Sequence, residues 1–334
     1  MSRARSAALQ VLGGLAAALL LTECGLRLSW GQSTLLPPIY ASHRGQIQLS
    51  PGASSVGRLP ASPPYTIQID DRGLRSPVPD EPTWLLIGDS LPFGLGVDGA
   101  ETAAAQMTAA GVPAAAAGVP AYSIADALAH AEGLPAPGVI VLPNAVDDDR
   151  QGAARLHAAH DVVGGRLLRR SAPGWARRFY ASPLAHAQLP MALMRALRLS
   201  RGASGQPQRP DWATAGDGGR AAWAAVGEQI QTFADAHPSV AVRVAWVPHP
   251  AVAVPGRADG TAAERLAVAD GGWSDAAAVD GLTAGLGAVP LWDLRSVFSQ
   301  AGGAFLRRDT HLSAEGNARL ADALRERMQA GGEN

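Results

Sequence analysis

The sequence predicts an α/β protein, a three-layer α/β/α sandwich around a parallel sheet of about five strands. Two observations carry this expectation. From residue 83, short apolar runs that end in turns alternate with helix-length segments closed by glycine. Strands alternating with helices imply a mostly parallel sheet covered on both faces. The 334 residues, 47% hydrophobic and 17% charged, suffice for one large α/β domain or one domain with additions. A basic, apolar start adds an N-terminal membrane anchor to this scheme, and an arginine-rich interruption adds an inserted helical cap.

At the N-terminus, Arg3 and Arg5 precede the apolar run AALQVLGGLAAALLL, residues 7–21. This is the pattern of an export signal or signal anchor. The run falls short of the ~20 residues of a full span, unless it continues through TECGLRL with Arg27 snorkelling. No clean small-x-small cleavage site follows, and Glu23 before Cys24 suits a lipoprotein site poorly. An uncleaved anchor over residues 1–28 is expected, with the arginines cytoplasmic and the bulk of the chain outside, periplasmic or extracellular. A cleaved signal peptide is the alternative.

Residues 29–80, rich in Pro, Ser and Gly with short strand-like pieces such as YTIQID, read as a linker and extended lead-in. The main domain is expected over 81–330. TWLLIG is a strand, ETAAAQMTAAG a helix closed by Gly111, PAAAAG a poor short strand and SIADALAHAEG a second helix. GVIVLPN is a strand. AAWAAVGEQIQTFADAH is a helix, VAVRVAWVP and VPLWDL are strands, and SAEGNARLADALRERM is the last helix. Residues 150–215 break this rhythm. From Val162 to Pro210 there are nine arginines and no acid, interleaved with Leu, Met, Trp175, Phe179 and Tyr180. The segment reads as a helical cap whose basic face is either solvated or meets an anionic polymer or lipid headgroups.

Several classes are excluded. The net charge of −1 gives no field for nucleic acid. All 28 basic residues are arginine, which looks like genome composition. Cys24 is the one cysteine, so no disulfide forms within the chain and no Cys-rich metal site exists. Asparagine occurs only as Asn144, Asn317 and Asn334, so an asparagine in the interior of the fold stands out.

The stretch LLIGDSLPFGLGV, residues 85–97, carries the chemistry. Gly94, Gly96 and Gly99 match a dinucleotide loop weakly, because no acidic ribose ligand ends a second strand. No Gly-Lys-Ser/Thr is present to cradle phosphate. Ser90 as a nucleophile needs a base, and the base needs an acid to hold its tautomer. Near the C-terminus, LRRDTHLSAEGN supplies Asp309 and His311, two apart and so on one side of an extended segment. Ser313 is a candidate N-cap, and Leu320, Leu324 and Met328 would pack the following helix on the sheet. Both blocks lie at the carboxyl edge of the strands, where open α/β sheets keep their sites. An oxyanion would find donors in the N–H groups of Ser90 and Gly118 and in the Asn144 amide. Asp89 orders the turn by accepting backbone N–H bonds, and with His249, which ends the VAVRVAWVP strand region, it is a candidate pocket residue.

These four blocks resemble the SGNH hydrolases, the GDSL esterase/lipase family. Gly88-Asp89-Ser90-Leu91 matches the first block, Gly118 in AAGVPAYS the second, Asn144 in VLPNAVDD the third, and Asp309 with His311 the last. The resemblance covers roughly residues 70–330 without the basic insertion. DRGLRSPVPDE and GLGV, on either side of the first strand, look like the membrane-anchored, exported branch. The family's final motif is Asp-x-x-His. Here Arg308 stands three before His311 and Asp309 two before it, a spacing similar to that of proteins that O-acetylate secreted polysaccharides. Ala145 replaces the Asp that usually follows the block-three Asn, and Asp147, Asp148 and Asp149 read as capping or solvated rather than as metal ligands. The resemblance implies a flavodoxin-like sheet and a serine esterase or O-acyltransferase, acetyl being the expected acyl group. Its substrate would be a small ester or acylated carbohydrate of the cell envelope, with no cofactor and no metal. A non-catalytic polysaccharide-binding or scaffold protein and a lipid acyl hydrolase are the rival expectations.

Overall fold

Five strands form one parallel sheet at the centre of the computed structural model. The structure describes residues 2–30, 37–43, 45–59, 62–144, 156–189, 217–254, 275–299, 301–307 and 309–331. The N-terminal part holds α1 (Ser2–Trp30), β1 (Tyr40–His43), β2 (Gln46–Leu49), β3 (Ser54–Arg58) and β4 (Pro64–Gln68). Then come β5 (Trp84–Gly88), α2 (Ser90–Phe93), α3 (Ala103–Ala109), β6 (Ala114–Ala116), α4 (Ile124–Ala131) and β7 (Gly138–Leu142). The insertion contributes α5 (Leu156–Ala159), β8 (His160–Val163), β9 (Arg166–Arg169) and α6 (Gly174–Ala181). The C-terminal part holds α7 (Asp217–Ala236), β10 (Ala241–Trp246), α8 (Pro250–Ala253), α9 (Asp275–Leu286), β11 (Leu291–Asp293), α10 (Arg295–Phe298) and α11 (Ala314–Gly331).

The spatial order β11-β10-β7-β5-β6 is the doubly wound order, with its switch between β5 and β7. Alternation along the strands explains the layers. Leu85, Ile87, Val139 and Val141 point to one core, shared with α4, α7 and α9 through Leu128, Trp223, Ile230 and Leu282. Leu86, Ile140 and Leu142 point to the other, shared with α3 and α11 through Met107, Leu320 and Leu324. The weak strand expected in PAAAAG forms as β6, and its alanines are fully buried. Its outer edge is partly covered where the Arg75 N–H donates to the Ala116 carbonyl at 3.2 Å.

Three expectations need correction, and one helix was not foreseen. First, part of the expected linker is packed structure. β1–β2 and β3–β4 are antiparallel hairpins, and Ile39, Ile47, Leu49, Tyr65 and Ile67 join the main core. β4 falls on the strand-like piece YTIQID, while the apolar residues of the other strands alternate over only a few positions between Pro, Ser and Gly. Second, α9 carries little apolar periodicity and is held by small residues. A Cβ on Gly281 would sit 2.5 Å from the Arg220 carbonyl, and one on Gly285 2.0 Å from that of Ala224. Such close approach of α9 to α7 is a tertiary property. Third, the described part of the insertion is not simply helical. β8 and β9 form an antiparallel hairpin that meets the first hairpin, where the Tyr40 N–H donates to the Gly165 carbonyl at 2.9 Å. Leu168, Tyr180 and Ala185 give it a small core of its own. Residues 190–216 lie outside the described residues. Fourth, α1 forms, but among the described residues no helix is long and apolar enough to cross a membrane. The apolar run gives way to Thr22, Glu23 and Arg27 within the same helix.

Candidate active site

Gly88 closes β5 with φ of +143°, and a Cβ there would lie 2.5 Å from the Leu142 carbonyl of the neighbouring strand. Glycine is required at this turn. Asp89 then caps α2, its Oδ1 accepting the Leu91 N–H at 3.2 Å, as expected from sequence. Ser90 is the first residue of α2, so its own N–H has no intrahelical acceptor. The turn thus presents a hydroxyl and a backbone donor together, at the carboxyl end of a central strand.

The base arrives from the far end of the chain. Residues 304–306 and 311–313 run antiparallel, bridged between Phe305 and Leu312. The Ser313 N–H donates to the Ala304 carbonyl at 2.9 Å, and the Leu306 N–H to the His311 carbonyl at 2.8 Å. His311 Nε2 lies 2.8 Å from Ser90 Oγ. On its other side, His311 Nδ1 makes a short hydrogen bond to Asp309 Oδ1, which also accepts the His311 N–H at 3.0 Å. Burial acts to raise the Asp309 carboxyl, but the hydrogen bond and charge of His311, with the N–H groups of His311 and Thr310, outweigh it and hold the group below its usual range. With Nδ1 bonded to the Asp309 carboxylate, Nε2 is the ring nitrogen that faces Ser90 Oγ.

Asp89 does more than order the turn. Its Oδ2 accepts the Asn144 amide at 2.5 Å and lies 3.1 Å from Ser90 Oγ. Asp89 therefore fixes the Asn144 side chain, which leaves β7, beside the nucleophile turn that leaves β5. Gly118, just past β6, packs against the same turn. A Cβ on it would sit 2.6 Å from both the Asp89 carbonyl and the Phe93 nitrogen. Ser90, Gly118 and Asn144, the expected oxyanion donors, thus follow three adjacent strands.

Ser90, Leu91, Asn144, Val247, Pro248, His249, Pro250, Phe305, Thr310 and His311 line a cavity of about 20 Å³, space for a group of roughly water size. His249 lies on this wall, as expected. Asp89 is buried and does not line this wall, but it bonds Asn144 and contacts Ser90, which do. No described residue of the arginine-rich insertion lines the cavity. Asp147, Asp148 and Asp149 lie outside the described residues. Among the described residues no group of three His, Cys, Asp or Glu side chains is placed to hold a metal.

Sequence reasoning missed two supporting residues. Asn317 is 1% exposed, its Oδ1 accepting the Ala103 N–H at 3.1 Å while its Nδ2 donates to the Ser313 carbonyl at 2.9 Å. It joins α3 to the turn where the His311 loop enters α11, beside the expected Ser313 cap, whose Oγ accepts the Gly316 N–H at 3.1 Å. The rarity of asparagine in the chain was the available signal. Arg75 is fully buried, donating to the carbonyls of Thr66 at 2.7 Å and Val97 at 2.8 Å, with its guanidinium 4.6 Å from the centre of the Phe93 ring. Burial, only partly offset by Tyr65 and Asp98, lowers it to about 10.

No protein-family model matches the chain, and no curated protein matches it. The solved structures that are similar include a crystal structure at 15% identity over 75% of this chain and 97% of that one, with a TM-score of 0.41, too low to carry an argument.

Proposed function

We propose that the protein is a serine esterase or O-acyltransferase of the SGNH type, acting on a short acyl ester, acetyl in the first place, of a carbohydrate or cell-envelope substrate. The observation that carries this reading is the unbroken hydrogen-bonded chain from Ser90 through His311 to Asp309. Ser90 Oγ attacks the ester carbonyl as its proton passes to His311 Nε2. Asp309 holds the ring in the required tautomer and stabilises the imidazolium. The N–H groups of Ser90 and Gly118 and the Asn144 amide receive the charge on the carbonyl oxygen. The tetrahedral species collapses, His311 returns the proton to the leaving alcohol, and the acyl group stays on Ser90. Water or a sugar hydroxyl then gives its proton to His311 and takes the acyl group, yielding an acid or a new ester and restoring the serine.

The Asp-Thr-His spacing supports transfer of an acyl group to a sugar. The basic start and apolar run of the sequence support placing this domain outside the cytoplasm, attached to the membrane or released from it.

The test is a pair of measurements on the full chain and on Ser90→Ala. The full chain should label with a fluorophosphonate and turn over p-nitrophenyl acetate. The variant should not label, and its turnover should fall to the roughly 10³–10⁴-fold over water that survives a broken triad. Equal turnover by the two proteins rules the assignment out. Absence of labelling in the full chain favours a non-catalytic envelope protein, and preference for long acyl esters favours a lipid acyl hydrolase. Oligosaccharide supplied with an acetyl donor separates transfer from hydrolysis by its product, acetylated sugar or free acetate.

A further inference from the structure

Large apolar side chains stand exposed in two places among the described residues. Leu12, Leu15, Leu19, Leu20 and Leu21 on α1 are 49–74% exposed, and in the insertion Trp175 is 54% and Leu184 58% exposed. These two places are joined. Glu23 of α1 accepts the Gln188 N–H at 2.9 Å and the Leu189 N–H at 2.7 Å, while Arg27 bonds Glu23 at 2.7 Å and reaches the His186 carbonyl at 3.4 Å. The carboxylate thus clamps the C-terminal part of α1 to the chain just beyond Leu184.

The joined surface is also cationic. Asp161 is the one acid in residues 156–189, and it is occupied by Arg170 at 3.2 Å and Arg177 at 2.8 Å. Arg169 and Arg178 are exposed and have no ion pair among the described residues. Arg178 shares α6 with Trp175, and Arg169 ends the neighbouring β9. Exposed leucines, a tryptophan and unpaired arginines on one connected surface match what the headgroup region of a bilayer offers: apolar depth, a level for amphipathic rings, and anionic phosphates.

We propose that α1 and the arginine-rich insertion form one membrane-docking face that binds the headgroup region of an anionic lipid bilayer, the Glu23 clamp holding its apolar and cationic halves together. The insertion then orients the domain on the lipid surface rather than closing over the cavity at Ser90. The inference does not depend on the catalytic reading.

The test uses the full chain and flotation with vesicles of phosphatidylcholine alone and of phosphatidylcholine mixed with phosphatidylglycerol, at low and high salt. Partition should favour the mixed vesicles, and high salt should remove that preference. The double variant Arg169→Gln/Arg178→Gln should lower partition to mixed vesicles by roughly thirtyfold, two surface arginines' worth, and leave the plain vesicles unchanged. Trp175→Ala should weaken both. These side chains are exposed and do not line the cavity at Ser90, so circular dichroism and p-nitrophenyl acetate turnover serve as controls for folding. Equal partition to both vesicles, or no response to the arginine pair, overturns the proposal. So does arginine-dependent binding of a soluble anionic polysaccharide without arginine-dependent vesicle binding, which assigns the patch to a polymer.

Discussion

Ser90 Oγ and His311 Nε2 lie 2.8 Å apart although 221 positions separate them in the chain. Ser90 begins α2 and His311 stands on the loop that enters α11, both at the carboxyl edge of one sheet, and His311 is held from behind by Asp309. Most of what can be tested follows from how rigidly that meeting is built.

Asp309→Asn should keep the fold and lose the chemistry. An amide cannot hold the Nδ1 proton as a carboxylate does, and a change of this kind costs about 10⁴-fold in kcat where it has been made in a serine triad. Steady-state kinetics near neutral pH measure it. A loss below tenfold would remove Asp309 from its assigned role.

The same carboxyl predicts an acid limb of stability. It is held below its unfolded value, so its contribution is complete above the usual carboxylate range and is lost as pH falls through the lower folded value. The wild-type protein should lose Tm over that acid window more steeply than Asp309→Asn. Thermal melts of the two at a series of acid pH values decide it, and parallel curves count against it.

Asn144→Ala should lower kcat by about 10²–10³, the cost of one oxyanion donor, with little change in KM. Asp89→Ala should act in the same direction, since Asp89 Oδ2 holds the Asn144 amide. It should also cost about 1 kcal/mol of stability for the lost α2 cap. Combining the two changes should cost less in kcat than the sum of each alone, because they remove one interaction.

Gly118→Ala places a methyl group 2.6 Å from two backbone atoms of the nucleophile turn, where no flexible side chain can yield. Overpacking of this kind costs about 1–3 kcal/mol, and the displaced α2 should reduce activity by more than the stability loss explains. Denaturant unfolding and kinetics on the same preparation separate the two effects.

Asn317→Ala leaves the buried Ala103 N–H without its acceptor, a cost of about 1–3 kcal/mol. Its effect on activity should appear with the loop that carries His311, as lowered kcat. Asn317→Asp should restore the acceptor in part, and an Asn317→Ala protein of unchanged stability would show that the bond contributes nothing.

The amino-acid sequence was enough to read the alternation of strands and helices from residue 83, because burying a strand on both faces demands a largely apolar run and several of these runs are bounded by glycine or proline. It was enough to single out Ser90, Asp309, His311, Gly118 and Asn144, because each residue type carries its chemistry in itself and each stands at the end of a recognisable element. It showed YTIQID as a strand-like piece but not the hairpins of residues 40–68 as packed structure, because their few apolar positions acquire meaning only against a core supplied by other segments. Nor did it show α9, whose glycines matter only for how near α7 can come. The tertiary structure alone decided that Asp89 faces inward to hold Asn144, that Asn317 ties α3 to the histidine loop, and that Glu23 joins α1 to the insertion. Each of these is a hydrogen bond between distant parts of the chain, and local pattern records what a residue can bond but not which partner folding brings to it.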